Sequence, residues 1–409
     1  MLYIIGGKVL TMEGDVWEKG YLAIDKGKIR ELGPVRSGSP VSAIWEKSKS
    51  EKSCAEQVID ATGCIVMPGL IEAHCHMGIT EEKKGIEGDD CNETVNPITP
   101  FLRAIDAINP MDAAFDDAVR AGITSVMVGP GSANVVGGTF AFIKTHGRSI
   151  DRLIVKSPAA MKVAFGENPK VNYSDQGKSP STRMAIAAML REELFLAGQY
   201  LQKKEKGMRP EEQDFRYECW MPVLLGEIPL KAHVHRADDI LTAIRIAKEF
   251  HLAMTLDHCS EGHLIVDEVK RSGFPAIVGP DLASRNKIEV QNMAFKTVGI
   301  LNKAGIKTAI TTDHPVSLIQ SLPICAGLAV KAGLAQEEAL KSITIYAAQI
   351  CRVDERVGSL KAGKDADIVI FDGNPLEVAT RAMCTLIDGE VVYADDAFKC
   401  PLPVMKKQL

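Results

Sequence analysis

Val66-Met67-Pro68-Gly69-Leu70-Ile71-Glu72-Ala73-His74-Cys75-His76 is an apolar run with β character that ends in two histidines one residue apart. On a β-strand alternate side chains share a face, so His74 and His76 point the same way. Two imidazoles converging at the end of a buried strand are costly unless something accepts their lone pairs, and a divalent cation does this well. An isolated His-x-His is more often a satisfied core or surface pair. Here the pair closes an apolar strand after Pro-Gly, and further His and Asp residues stand at later strand ends. The metal reading is therefore preferred.

Outward from this strand, to about residue 350, the sequence alternates. Apolar β-rich segments at 123–128, 139–144, 159–164, 229–235, 252–258, 275–278 and 307–313 make eight strands with the first. Amphipathic helical patterns at 110–121, 183–204, 238–250, 261–272, 288–304 and 336–351 lie between several of them. This alternation predicts an α/β fold, a (β/α)8 TIM barrel. A doubly wound open sheet is the alternative, but it gathers its site at one switch point, whereas here polar residues end many strands. The first sixty residues and those after 353 are rich in short β runs, and neither end has enough strands for a core alone. They are expected to join in one small β-sandwich domain. The predicted division is 1–63 and 353–397 for the sandwich, 64–352 for the barrel and 398–409 for a tail. The Ser-, Lys- and Glu-rich stretch 36–56 reads as an exposed excursion with a short helix and no chemistry.

The chain has 409 residues, 46% hydrophobic and 25% charged, enough for a large core plus a smaller one. A net charge of −5 argues against nucleic-acid or membrane-surface partners, which favour a basic balance. Residues 1–8 read as a strand into a turn rather than a signal peptide, and no stretch approaches the ~18 apolar residues of a membrane span. A cytoplasmic protein is expected. Ten cysteines are scattered without a C-x-x-C pair, so most are expected to be reduced. Cys75 and Cys259 adjoin candidate histidines but face the other side of their strands, which suits packing.

The polar residues at the strand ends are, in order, His74 and His76, Lys162, His233 and His235, His258, and Asp313 in Thr311-Thr312-Asp313-His314-Pro315. Together with Lys231-Ala232-His233-Val234-His235, and with Val357-Gly358-Ser359-Leu360-Lys361-Ala362-Gly363-Lys364-Asp365-Ala366-Asp367-Ile368-Val369, this set resembles the metal-dependent amidohydrolase superfamily over nearly the whole chain. Its imidazolonepropionase-like and prolidase-like branch is the most similar. Glu72 stands where that family usually has Asp. The resemblance implies that His74 and His76 hold one metal with Asp313, that His233 and His258 hold a second, and that Lys162, carboxylated by CO2, bridges them. It also implies one or two divalent ions, zinc by preference, and Asp313 as the catalytic proton carrier. Hydrolysis of a linear or cyclic amide follows, with a dipeptide or N-acyl amino acid as the suggested substrate.

Alternatives stay open for several residues. Lys162 is otherwise an ordinary lysine reaching solvent or a carboxylate, which leaves a mononuclear site. Asp313 is otherwise a turn cap. His235 is read as a substrate contact, with a competing ligand as its alternative. Arg236 occupies the position where related deaminases and imidazolonepropionase place an acid, three residues beyond the strand-5 histidine; this favours simple amide hydrolysis. Its guanidinium suits a substrate carboxylate, with a surface helix-start arginine equally compatible. Competing functions are a mononuclear cyclic-amide hydrolase or deaminase, and a non-catalytic scaffold, which the full set of donor residues disfavours. The loop at 129–138 follows strand 2 without a phosphate-loop ending and is read as pocket lining or a tight turn, whereas 166–170 and the segment 92–106, after strands 4 and 1, resemble a signature of one amidohydrolase subgroup. His146, His251 and His263 read as structural. The partner expected is a small-molecule amide, and homo-oligomerisation is left open.

Overall fold

The computed structural model describes residues 1–50, 57–82 and 85–407. Eight strands form one sheet in chain order: β1 (Leu70–Cys75), β2 (Ile123–Val128), β3 (Val136–Lys144), β4 (Ile154–Ala164), β5 (Leu230–Val234), β6 (Met254–His258), β7 (Ala276–Val278) and β8 (Thr308–Ile310). Every residue of β1, β2 and β3 is buried, as in strands covered on both faces. The helix Ala237–Glu249 buries Ile240, Ala243, Ile244 and Ala247, the spacing of a single helical face turned to the core.

One strand departs from a strict (β/α)8 repeat. β3 runs antiparallel to both β2 and β4. A parallel crossover needs a dozen or more residues, and the loop 129–135 is too short for one, so the chain turns straight back. The sheet is nearly closed, with side chains joining its first and last strands. Thr311 Oγ1 donates to Glu72 Oε1 at 2.6 Å, while the Thr312 N–H and Oγ1 donate to Glu72 Oε2 at 2.8 and 2.7 Å. Glu72, fully buried, thus clamps the barrel shut directly beneath the histidines.

The run 66–76, read as one strand, is two. Ile65–Pro68 lies in a six-stranded sheet, between Lys8–Leu10 and Ile368–Phe371, whereas β1 begins at Leu70 in the barrel. Gly69 is the crossing point, where a Cβ would lie 2.1 Å from the Thr124 hydroxyl. A four-stranded sheet of Lys28–Pro34, Gly20–Asp25, Leu2–Ile5 and Gln57–Asp60 faces the six-stranded one. Ile4, Leu22, Ile59, Val66, Ile368 and Leu386 fill the space between, so both chain ends contribute to one sandwich core. The excursion holds the helix Pro40–Ser50; its remainder, 51–56, lies outside the described residues, as do 408–409. Lys144, at the end of β3, joins the two units through Asp365, Asp367 and Asp388 at 3.1, 2.5 and 3.4 Å.

Candidate metal centre

The barrel strands bring together all the predicted donors. His76 Nδ1 donates to the Gly129 carbonyl at 2.7 Å, and His258 Nδ1 to the Gly279 carbonyl at 2.8 Å. A carbonyl only accepts, so these protons sit on Nδ1 and leave Nε2 facing inward. His74 is held the same way, its Nδ1 lying 2.5 Å from Asp257 Oδ2. Asp313 faces this set: its Oδ1 lies 3.3 Å from His76 Nε2 and 3.5 Å from His74 Nε2, and has no hydrogen-bond partner. Asp313 (φ +52°) and His258 (φ +70°) adopt left-handed backbone that non-glycine residues rarely take, a strain that folds hold mainly at functional positions.

Beside this group, the His258 ring lies 4.5 Å from that of His233 and 4.7 Å from that of His235. One ligand atom from each of these three histidines lies within 4.8 Å of the others, and the same holds for His74, His258 and Asp313. Lys162 of β4 is fully buried, with Nζ 3.4 Å from His74 Nε2. His235 Nδ1 pairs with Ser260 Oγ at 2.8 Å.

Burial holds His74, His233, His235 and His258 well below the ordinary imidazole range, so each is neutral. His76 is the exception: burial pulls it down, but Cys91 and then Asp313 outweigh burial and hold it at about 10. Burial also pushes the Lys162 ammonium down to about 8. Neutral imidazoles, a carboxylate with an unpartnered oxygen and His233 with an unpartnered Nδ1 make a buried array rich in lone pairs. That donor chemistry fits a divalent metal of the zinc type.

The site opens into a cavity of about 610 Å³, lined by His76, His233, His235 and Asp313 with Cys91, Asn168 and Lys287 among others. This is the size of a small-molecule pocket. Gly131 and Ser132 of the loop after β2 also line it. Arg236 does not. It starts the helix Ala237–Glu249 and its fork is closed on Asp238 at 2.9 and 3.0 Å. The side chains that sequence reading missed are Asp257, Cys91 and Glu289. Asp257 had a signal, a carboxylate inside an apolar strand beside a candidate ligand. Glu289 had none, because its neighbours His233 and His235, at 3.7 and 3.8 Å, are remote in sequence.

Residues 241–393 match the amidohydrolase family. A solved amidohydrolase structure from Thermotoga maritima superposes with a TM-score of 0.89 at 34% identity, covering 97% of this chain and all of that one. Amidohydrolase tasK of Hapsidospora irregularis is 29% identical over 93% of this chain, although the chain spans only 41% of that protein's length. A 5-methylthioadenosine/S-adenosylhomocysteine deaminase of Symbiobacterium thermophilum is 24% identical, over 96% of this chain and 94% of that protein.

Proposed function

This chain belongs to the metal-dependent amidohydrolase superfamily, enzymes that hydrolyse carbon–nitrogen bonds, and from that premise we propose a binuclear hydrolase of linear or cyclic small-molecule amides. His74, His76 and Asp313 hold one ion, His233 and His258 the other, and Lys162 lies between. The observation that carries this reading is the unpartnered Asp313 Oδ1 facing two inward imidazole nitrogens.

Zinc or a similar ion at these positions supplies Lewis acidity and lowers the pKa of a coordinated water toward ~7. Asp313 takes a proton from the attacking water on a carboxylate oxygen and gives it to the nitrogen as the C–N bond breaks. Lys162 as an ammonium repels cations. At a pKa of about 8 a useful fraction is neutral amine, which adds CO2 with loss of one proton and becomes a carboxylate with two oxygens to share. Neutral His74, oriented by Asp257, keeps its Nε2 lone pair available.

A mononuclear reading, as a cyclic-amide hydrolase or deaminase, is favoured by one feature. His233, His235 and His258 form a three-imidazole set that needs no lysine. Metal content by plasma emission separates the two, on protein prepared with bicarbonate and zinc or manganese. Two ions per chain, falling to one or fewer in Lys162→Ala, is the binuclear result. One ion, unaffected by that change, establishes the mononuclear reading, and no metal under any loading overturns both.

A further inference from the structure

With Arg236 turned away, the cavity still has a cation. Lys287, on the loop after β7, is the one Lys or Arg side chain lining it among the described residues, and 27% of that side chain is exposed. An ammonium has three N–H donors. Glu289 Oε1 lies 2.5 Å from Nζ, and Asn168 Oδ1 accepts from it at 2.8 Å.

Both partners are themselves fixed. Glu289 is 1% exposed, and its Oε2 accepts the Glu167 N–H at 2.9 Å. Gly166, at φ +83°, makes the space for it, since a Cβ there would lie 2.8 Å from that oxygen. Asn168 Nδ2 donates to Ser132 Oγ at 2.8 Å. The segments after β2, β4 and β7 therefore converge to hold one lysine head. Glu289 Oε1 also lies 3.7 and 3.8 Å from the Nε2 atoms of His233 and His235, which places that head beside the candidate metal centre. A surface lysine ordinarily keeps its head mobile in water; ordering it by two partners while leaving a donor toward a cavity is preorganisation for an oxygen ligand.

We propose that Lys287 anchors a carboxylate of the substrate, so that the enzyme selects amides bearing that anion, N-acyl amino acids or peptides with a free C-terminus, over neutral amides. The proposal rests on the amide-hydrolase reading for its substrate class, and on the Lys287 geometry for its anion.

The test uses metal-loaded full-length protein and two matched probe sets, N-acetyl-amino acids and the N-acetylalkylamines that lack only the carboxylate. Ligand-induced thermal shift reads binding, and amine release reads hydrolysis. In wild type the acids raise the unfolding midpoint and the alkylamines do not. Lys287→Met weakens half-saturation by the acids about ten-fold or more, the scale of one charge-assisted hydrogen bond, and Lys287→Arg retains part of the response. If Lys287→Met does not fold, Asn168→Ala, which frees the ammonium from one restraint, is expected to weaken acid binding less strongly. No acid-dependent shift in wild type, or an equal shift in Lys287→Met, overturns the anchor. Acid binding lost in Lys287→Met with no amide of either set hydrolysed upholds the anchor and rejects the amide reading. Hydrolysis of both sets, unchanged by the substitution, does the reverse.

Discussion

Asp257 Oδ2 sits 2.5 Å from His74 Nδ1, and neither side chain has any exposed surface. Lys231 Nζ approaches the same oxygen to 2.9 Å, and Thr255 donates to the other at 2.6 Å. The carboxylate is therefore oriented by two other partners as well as by the imidazole. It fixes the proton of His74 on Nδ1 and strengthens Nε2 as a donor to a metal. Asp257→Asn keeps the shape and removes this. Metal affinity is expected to fall ~10–100-fold, measured by competition with a chromophoric chelator. Unchanged affinity would show that the pair only packs.

Asp313→Asn tests the proton carrier. The substitution is nearly isosteric, so the thermal unfolding midpoint should stay within a few degrees while turnover drops by ~10²–10⁴-fold or more. The assigned role does not survive wild-type turnover in a variant that still carries its metal.

Lys144→Met probes the join between barrel and sandwich. The lysine side chain is 5% exposed and sits among Asp365 and Asp367, which are 1% and 3% exposed. Deleting one member of a buried ion cluster leaves charge uncompensated, at a cost of ~3–5 kcal/mol. Denaturant midpoints of variant and wild type at equal metal content measure it; a loss below about 1 kcal/mol would mean that Arg356 and Lys28, which also pair with Asp365, compensate.

Asp281, on the loop after β7, gives a pH signature. Burial pushes its carboxyl up to about 6, with Arg285 pulling the other way. The folded chain thus holds this proton more tightly than the unfolded chain, whose carboxyl titrates near ~3.9. The contribution to stability is fully present below ~4 and is lost as pH rises through about 6. Asp281→Asn should therefore exceed wild type in stability by about 3 kcal/mol at pH 7.5, an advantage that fades toward pH 4. Denaturant melts of both proteins across that range read the slope, and a pH-independent difference would contradict it.

The eight strands, Lys162 and the histidines were legible because each lies in a local apolar run with a polar end, and a two-residue period needs no partner to be seen. The reversal of β3 was not, since nothing in Val136–Lys144 records which way it runs; only the shortness of the loop before it does. Arg236 was ambiguous because a helix-start arginine and a ligand-binding one look alike in sequence; its fork closes on Asp238. Lys287 stayed invisible for the opposite reason. Its partners Asn168 and Glu289 lie on separate short helices, after β4 and after β7, and only the barrel sets them side by side.

Gly137 opens β3 at the cavity side, where a Cβ would press on Lys162 Cγ at 3.3 Å; one on Gly138 would meet the Leu102 carbonyl at 2.4 Å. Because β3 runs against its neighbours, this sector of the rim holds the start of a strand directly behind the short loop 129–135. Sequence change is restrained there, since a side chain at Gly137 presses on Lys162 and one at Gly138 on the Leu102 backbone. Libraries seeking altered specificity belong on the cavity-lining loops, those after β1, β2, β7 and β8 among them.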